Sequence, residues 1–111
     1  MDVIVSVLGS ATIVEPDGRI DNAGSGILGQ RLADVAAGGP QLLVVDLRRV
    51  DYITSAGFRV LLLAAKDASA RNFKLALCSL NGELRHLFQI AGFLGLFQVY
   101  ASREESVAAI G

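Results

Sequence analysis

Runs of apolar residues along the chain predict five β-strands. In the first run, valines alternate with other residues as far as Gly9, and a spacing of two is typical of a strand. The run at residues 42–45 is apolar without a break, as in a strand buried on both faces of a sheet. We predict strands at residues 2–8, 11–14, 42–45, 73–78 and 96–100. We interpret Glu15-Pro16-Asp17-Gly18 as a turn that closes a hairpin or begins a loop, after which Arg19, Ile20 and Asp21 continue the extended chain.

Apolar residues spaced three and four positions apart predict helices between the later strands. This spacing places side chains on one face of a helix, which can then pack against a core. The predicted buried faces are Leu28, Leu32 and Val35 in the first helix, Phe58, Leu61, Leu62, Ala65 and Ser69 in the second, and Leu84, Leu87, Phe88 and Ala91 in the third. The predicted helix boundaries are a stop at Gly38-Gly39-Pro40, an N-cap at Asn81, an end at Gly92 and a capping box that begins at Ser102.

The predicted elements indicate one α/β domain over residues 1–111, in the order β-β-α-β-α-β-α-β-α. Strands that alternate with helices after an initial β pair imply a sheet that is mixed at its N-terminal edge and largely parallel afterwards. A chain of 111 residues has no room for two independent cores, and its hydrophobic content of 52% is enough to fill one core.

Charge and cysteine content narrow the function classes. The net charge is −1 with both signs scattered along the sequence, so we expect no nucleic-acid binding. We expect no leader sequence, because no charged segment followed by an apolar run opens the sequence, and no apolar run is long enough to cross a membrane. The single cysteine, Cys78, cannot form an internal disulfide. We therefore expect a soluble cytoplasmic protein without membrane insertion. One cysteine and one histidine supply no recognisable metal site, and we expect no cofactor.

Two hydroxyl residues, Thr54 and Ser55, stand where the central helix must begin. Each is a good N-cap residue, and capping is the simpler interpretation of Ser55. The alternative is phosphorylation, because a phosphate at the positive end of a helix meets free N–H groups and a favourable dipole. Gly57 lacks a side chain, so we expect that a partner could bring its backbone close to this loop.

The residues around Ser55 resemble the signature of STAS domains, and specifically of bacterial anti-sigma factor antagonists. The similar stretch is Asp46-Leu47-Arg48-Arg49-Val50-Asp51-Tyr52-Ile53-Thr54-Ser55-Ala56-Gly57-Phe58-Arg59-Val60-Leu61-Leu62, and the spacing of elements on either side also fits. The resemblance implies that Ser55 is phosphorylated by a serine kinase that is itself the anti-sigma factor. One common version of the signature has an acid before this serine and a second serine after it. Here these positions hold Thr54, which is a possible second acceptor, and Ala56.

The resemblance further implies a binding module rather than an enzyme. Unphosphorylated, the protein would bind the anti-sigma factor kinase, an ATPase of the histidine-kinase-like fold, and so release a sigma factor; a serine phosphatase would restore this state. The alternatives are a STAS subunit of another partner-switching system or of a lipid-transport ABC complex. The expected partner-binding residues are Asp21, Thr54, Ser55, Ala56, Gly57, Arg59, Leu63 and Lys66.

Helical spacing supports part of this set. Arg59, Leu63 and Lys66 fall on the face of the central helix that should meet water. A single exposed leucine is ordinary on a protein surface, whereas an apolar residue rimmed by charge could also be a docking strip for a partner helix. Loop placement further predicts that Asp21, Asp46 and Asp51 line the same end of the sheet as Ser55, where their charges would repel a phosphate on that serine.

Two other functions have weaker support. Gly24-Ser25-Gly26-Ile27-Leu28-Gly29 matches the G-x-G-x-x-G dinucleotide fingerprint, but the segment before it is polar rather than a buried strand, so we expect a thin, flexible helix start near the Ser55 loop instead. A nucleophilic role for Ser55 lacks the G-x-S-x-G context. The only histidine, His86, is expected to face water from another helix.

Overall fold

The computed structural model describes residues 1–110, which form six strands and four helices. The strands are β1 (Asp2–Leu8), β2 (Ala11–Ile20), β3 (Leu42–Asp46), β4 (Val50–Ile53), β5 (Lys74–Cys78) and β6 (Gln98–Tyr100). The helices are α1 (Asn22–Ala37), α2 (Ser55–Arg71), α3 (Gly82–Ile90) and α4 (Arg103–Ile110), and a single 3₁₀ turn, Leu94–Leu96, precedes β6. The α/β class is confirmed, with one strand more than the sequence predicted.

The strands form one mixed sheet in the order β1-β2-β3-β5-β6. β1 is antiparallel to β2, and every other pairing is parallel. β4 lies outside this order and pairs in parallel with the last residues of β2. The expected arrangement, mixed at the N-terminal edge and parallel afterwards, is confirmed.

The predicted turn at residues 15–18 is wrong, because β2 continues through it to Ile20. β1 supplies the partner along this stretch, since Ile4 pairs with Glu15 and Asp2 pairs with Asp17. On the side of β2 away from β1, the pairing with β3 ends at Val14 and the pairing with β4 begins at Gly18. Pro16 lies between these two stretches, so neither parallel pairing needs the N–H that proline lacks. The turn-forming residues therefore mark a change of neighbour within one long strand.

β4 was not predicted from the sequence. It has only four residues, and exposed Asp51 and Tyr52 stand between buried Val50 and Ile53. Such a short segment has no clear period of its own. Its strand conformation depends on the end of β2, where Arg19 pairs with Tyr52.

The helices divide unequally between the two faces of the sheet. α1, α2 and α3 cover one face, over a core that includes Leu28, Leu61 and Phe88, whereas α4 packs on the other face over a smaller cluster around Ile13 and Val44. In the larger core, the ring of Phe58 lies with its centroid 4.8 Å from those of both Phe88 and Phe93.

The buried face of α2 is rotated from the predicted one. Ser69 is exposed and Ala68 is buried in its place, while Val60 and Ala64 pack against the core because α2 also lies against α1. Leu62 and Ala65 are half-buried rather than fully buried. The other predicted faces are correct at their centres, but Val35 and Leu87 are half-buried and Ala91 is exposed just beyond α3.

Candidate functional site

The candidate site is built where the end of β4 enters α2. Thr54 occupies the N-cap position, and its backbone N–H and its hydroxyl both donate to the carbonyl oxygen of Ile20, at 2.9 and 3.1 Å. This double contact fixes the strand-to-helix corner against the end of β2. The side chain of Thr54 forms no cap hydrogen bond with the free N–H groups of the first turn of α2.

Ser55 is the first residue of α2 and not its cap, so the capping interpretation is wrong. Its side chain is exposed and forms no hydrogen bond with the part of the chain that the structure describes. Thr54 is half-buried and its hydroxyl is already donated to Ile20. Of the two candidate phosphate acceptors, Ser55 therefore has the accessible hydroxyl.

Gly57 has a role that differs from the predicted one. It is buried, and a Cβ at this position would lie 2.6 Å from Ile20 Cγ2, 2.6 Å from Ile53 Cγ1 and 3.1 Å from the carbonyl oxygen of Ile20. The missing side chain makes room for these two core residues, and not for the backbone of a partner. Gly57 thus allows α2 to begin directly against β2 and β4.

Asp21 lies on the neighbouring corner, where β2 enters α1. It caps α1 by accepting a hydrogen bond from the N–H of Gly24 at 2.8 Å. The pairing of Ile20 with Ile53 holds this corner beside the one that bears Ser55. Asp21 is exposed, so its carboxylate is accessible from the same side of the molecule as the uncapped end of α2.

The G-x-G-x-x-G residues serve packing within α1. Helix α1 begins at Asn22, before the motif, so the glycines do not form a loop between a strand and a helix. A Cβ on Gly24 would lie 2.7 Å from the carbonyl oxygen of Arg19, and one on Gly29 would contact Val60 of α2. The prediction that this region lies near the Ser55 loop agrees with the contact between Ile20 and Thr54.

The predicted strip of Arg59, Leu63 and Lys66 is exposed along α2, and the side chain of Leu63 is 54% accessible. Leu63 also borders an open cleft between α1 and α2 with a volume of about 380 Å³. Small and apolar residues form its walls, among them Gly29, Ala33, Val60 and Ala64. Leu63 is therefore part of a larger apolar surface and not an isolated leucine.

Asp46 does not present a free charge beside Ser55, contrary to the prediction. It is buried at the end of β3 and accepts from Arg103 Nε at 2.8 Å. Arg103 also donates to Glu15 at 2.7 Å, and Arg48 Nε donates to Glu15 at 2.9 Å. Burial raises the pKa of Glu15, but the hydrogen bonds from Arg48 and Arg103 outweigh it and hold that pKa below its ordinary value. This ion cluster ties α4 to the sheet.

An arginine and a tyrosine that the sequence did not single out lie next to the candidate site. The guanidinium carbon of Arg19 lies 4.8 Å from the ring centroid of Tyr52, and both side chains are exposed. Within residues 1–110, Arg19 forms no ion pair. Only the pairing of β2 with β4 brings the two side chains together, so no local sequence pattern could have indicated the contact.

The described residues contain no group of three or more histidine, cysteine, aspartate or glutamate side chains placed to bind a metal ion. None of the helices within residues 1–110 is long and apolar enough to cross a membrane. His86 is exposed on α3, as predicted. Cys78 is buried, and burial raises the pKa of its thiol to about 11.

Comparison with known sequences gives one family. A family model described as STAS domain matches residues 2–106. A protein of Bordetella bronchiseptica, provisionally named anti-sigma factor antagonist BtrV, is 42% identical over 92 residues, which are 83% of this chain and 79% of that protein. A STAS-domain containing protein of Pseudomonas aeruginosa is 33% identical over 60 residues, or 54% of this chain and 59% of that one.

Solved structures share the same fold. A crystal structure of an anti-sigma factor antagonist from Mycobacterium paratuberculosis has a TM-score of 0.89 at 21% identity, covering 98% of this chain and 92% of that chain. The Bacillus cell fate determinant SpoIIAA, in its phosphorylated form, has a TM-score of 0.75 at 15% identity, covering 99% and 100%. At these identities the two structures show a common architecture.

Proposed function

The chain belongs to the STAS domain family, and from this membership and the geometry of the Ser55 corner we propose that it is an anti-sigma factor antagonist controlled by phosphorylation of Ser55. In its unphosphorylated form it binds an anti-sigma factor serine kinase in the cytoplasm, and the sigma factor held by that kinase is released. Phosphorylation ends the binding, and a serine phosphatase restores it. The protein itself is a binding module and not an enzyme.

The observation that carries the proposal is the exposed, unbonded hydroxyl of Ser55 at the uncapped start of α2. In the reaction, the γ-phosphoryl group of ATP moves to Ser55 Oγ, ADP leaves and the hydroxyl proton is lost. The phosphatase transfers the phosphoryl group to water. Neither reaction requires Ser55 to break a contact with the rest of residues 1–110.

The switch acts through the charge of the phosphate. A phosphoserine carries about −1.5 to −2 charges near neutral pH. In the free chain this charge meets water and the N–H groups at the start of α2, which favour an anion. In a complex, a partner pressed against Ser55 would strip water from the charge without neutralising it, and this costs several kcal/mol. A loss of about 3 kcal/mol corresponds to a more than hundredfold weaker complex.

The proposed docking surface combines the Ser55 corner with one face of α2. Asp21, Thr54, Ser55 and Ala56 form the corner, and Arg59, Leu63 and Lys66 continue it along the helix. Gly57 is buried and does not contact the partner; it contributes only by letting the first turn of α2 pack closely against the sheet. We propose that the partner covers Leu63 and the adjoining edge of the apolar cleft, while its polar groups contact the charges on either side.

The first experiment is intact-mass and fragment analysis of the protein purified from its own cells. We expect a fraction with one phosphate on Ser55. The partner kinase isolated from the same cells, supplied with ATP, should modify the wild type and Thr54→Ala but not Ser55→Ala. A phosphate found only on Thr54, or undiminished modification of Ser55→Ala, would disprove the assignment of the acceptor.

The second experiment measures binding of that kinase to variants of the antagonist. We expect Ser55→Ala to bind as the wild type does, and Ser55→Asp to bind at least tenfold more weakly. Leu63→Ala should also weaken binding, whereas Leu96→Ala is a matched control because Leu96 is exposed to a similar extent but lies outside α2. Equal binding by Ser55→Asp and Ser55→Ala would refute the switch. Equal effects of the two leucine variants would refute the docking strip alone.

A further inference from the structure

Strand β1 forms one edge of the sheet and is paired on one side only, with β2. It has seven residues, whereas β6 at the opposite edge has three. An exposed edge strand presents a row of unpaired N–H and C=O groups to which another strand can bond. Proteins usually protect such edges by keeping them short or by adding lysine or proline, and β1 has neither protection.

Two contacts show which residues of β1 direct their backbone groups outward. Arg31 of α1 donates a hydrogen bond to the carbonyl oxygen of Val3 at 3.1 Å. Val3 is opposite Pro16, which has no N–H to offer that oxygen. The carbonyl of Val3 therefore points away from β2. Because direction alternates along an antiparallel strand, the backbone groups of Val5 and Val7 point outward as well.

The side chains near these groups are apolar and exposed. Val7 is 75% accessible, Ile4 is 50% and Val5 is 39%. The only charged residue in the strand is Asp2, at its first position. β1 therefore combines free backbone groups with exposed β-branched side chains on both faces of the sheet, as a strand that pairs with another strand would.

We propose that the occupant of this edge is β1 of a second copy of the chain, joined in antiparallel orientation about a two-fold axis at Ser6. In this register Val5 of each copy is opposite Val7 of the other, and each such pair exchanges both of its backbone hydrogen bonds. Ile4 is opposite Leu8 of the second copy on the other face. The two sheets become one continuous sheet.

The choice of register follows from which backbone N–H and C=O groups of β1 are free to form hydrogen bonds. An axis at Val5 would place Val3 opposite Val7, and the carbonyl of Val3 is already taken by Arg31. That register would also place the exposed Ile4 opposite Ser6. The axis at Ser6 leaves the contact of Arg31 in place and gives every exposed apolar residue an apolar neighbour. It therefore uses the groups that the single chain leaves unsatisfied.

A second copy fits better than an unrelated strand because the strand is self-complementary. Antiparallel pairing places the two Asp2 carboxylates at opposite ends, where they do not repel each other. A two-fold axis brings identical surfaces together, which is the usual symmetry of dimers. The edge lies on β1 and not on the Ser55 corner, so the inference does not rest on the proposed function.

The oligomeric state of the full chain gives the first test. Sedimentation equilibrium over roughly 10 µM to 1 mM should show a reversible dimer. Val7→Lys should raise the dissociation constant at least tenfold, since it places a charge within the joined strands. Ile90→Lys is the matched control, because Ile90 is 69% accessible but lies on α3, and it should leave the dimer unchanged. Circular dichroism confirms that both variants are folded.

Cysteine cross-linking tests the register. The two Ser6 residues form a non-hydrogen-bonded pair with Cα atoms about 4.5 Å apart, which suits a disulfide. Ser6→Cys should give a covalent dimer in oxidised glutathione, which accepts the two electrons. Ser10→Cys is the control, because Ser10 is exposed but would lie more than roughly 20 Å from its copy. The native Cys78 is buried and should not react.

Three results would overturn the inference. The first is that the chain stays monomeric at the highest concentration. This includes the case in which the amides of β1 are protected from hydrogen exchange only after a different protein is added. The second is a dimer that survives Val7→Lys. The third is cross-linking of Ser10→Cys as fast as that of Ser6→Cys, which would place the contact elsewhere or in another register.

Discussion

The substitution Gly57→Ala tests how the start of α2 is seated on the sheet. The added methyl carbon would lie 2.6 Å from a side-chain carbon of Ile20 and 2.6 Å from one of Ile53. Carbon atoms pack most favourably at about 3.5–4.0 Å, so the methyl would be about 1 Å too close to both. Ile20 is 0% accessible and Ile53 is 3% accessible, so neither side chain can turn away into solvent.

The expected loss of stability follows from two opposing effects. Overpacking of this kind costs about 1–3 kcal/mol. Alanine is favoured over glycine within a helix by about 1 kcal/mol, and this partly offsets the loss. Gly26→Ala provides the reference, because a Cβ on Gly26 in α1 has nothing within 4 Å and the variant should show only the gain. Gly57→Ala should therefore be less stable than Gly26→Ala by about 1–3 kcal/mol.

Urea unfolding followed by circular dichroism measures this difference, with equal slopes confirming that the transitions are comparable. Hydrogen exchange adds a local measurement. The N–H of Thr54 donates to the carbonyl oxygen of Ile20, and it should exchange faster if the methyl group pushes the corner off the sheet. If Gly57→Ala proved as stable as Gly26→Ala, with Thr54 equally protected, the close contact would not exist and the description of this corner would be incorrect.

Three further predictions concern the ion cluster, the cysteine and the cap of α3. The pKa of Glu15 is lower in the folded chain than its ordinary value of 4.5, so its stabilising effect is present above pH 4.5 and is lost as pH falls through the folded pKa. Glu15→Gln should flatten this acid-side slope in urea unfolding, and an unchanged slope would contradict the role of the cluster. Cys78, with a pKa of about 11, should resist iodoacetamide near pH 8 in the folded chain and react in urea, as mass spectrometry would show; equal rates would be inconsistent with its burial. Asn81→Ala removes the acceptor for the N–H of Leu84 at 2.7 Å and should cost about 1 kcal/mol, more than Asn81→Asp, which keeps the acceptor.

Much of the fold could be predicted because the residues that decide it are close in sequence. The unbroken apolar run of β3, the caps Asn81 and Ser102 and the exposed face of α2 follow from local pattern, and the structure has them. The strand conformation of residues 15–18 within β2 could not be predicted. These residues resemble a turn, and only pairing with β1 and β4 makes them a strand.

The position of Ser55 at the start of α2 was predicted, but the contacts around it were not. The signature located Ser55 at the helix start. The hydrogen bond from the hydroxyl of Thr54 to the carbonyl oxygen of Ile20, however, joins residues 34 positions apart. Likewise, the salt bridge between Asp46 and Arg103 joins residues 57 positions apart, and the carboxylate that was expected to be free is buried and ion-paired. Local spacing contains no information about either contact, because each depends on how the sheet brings distant segments together.

The missing side-chain cap of α2 also bears on how a phosphate on Ser55 would act in the proposed switch. Had Thr54 capped α2, the first N–H groups of the helix would be satisfied and a phosphate would gain little there. Since the side chain of Thr54 forms no cap hydrogen bond, those groups remain available, and a phosphate near them would gain about 0.3–1 kcal/mol in the free chain. The same charge beneath a docked partner costs several kcal/mol. The proposed modification would thus favour the free state in two ways, because it would stabilise the separate chain slightly and destabilise the complex.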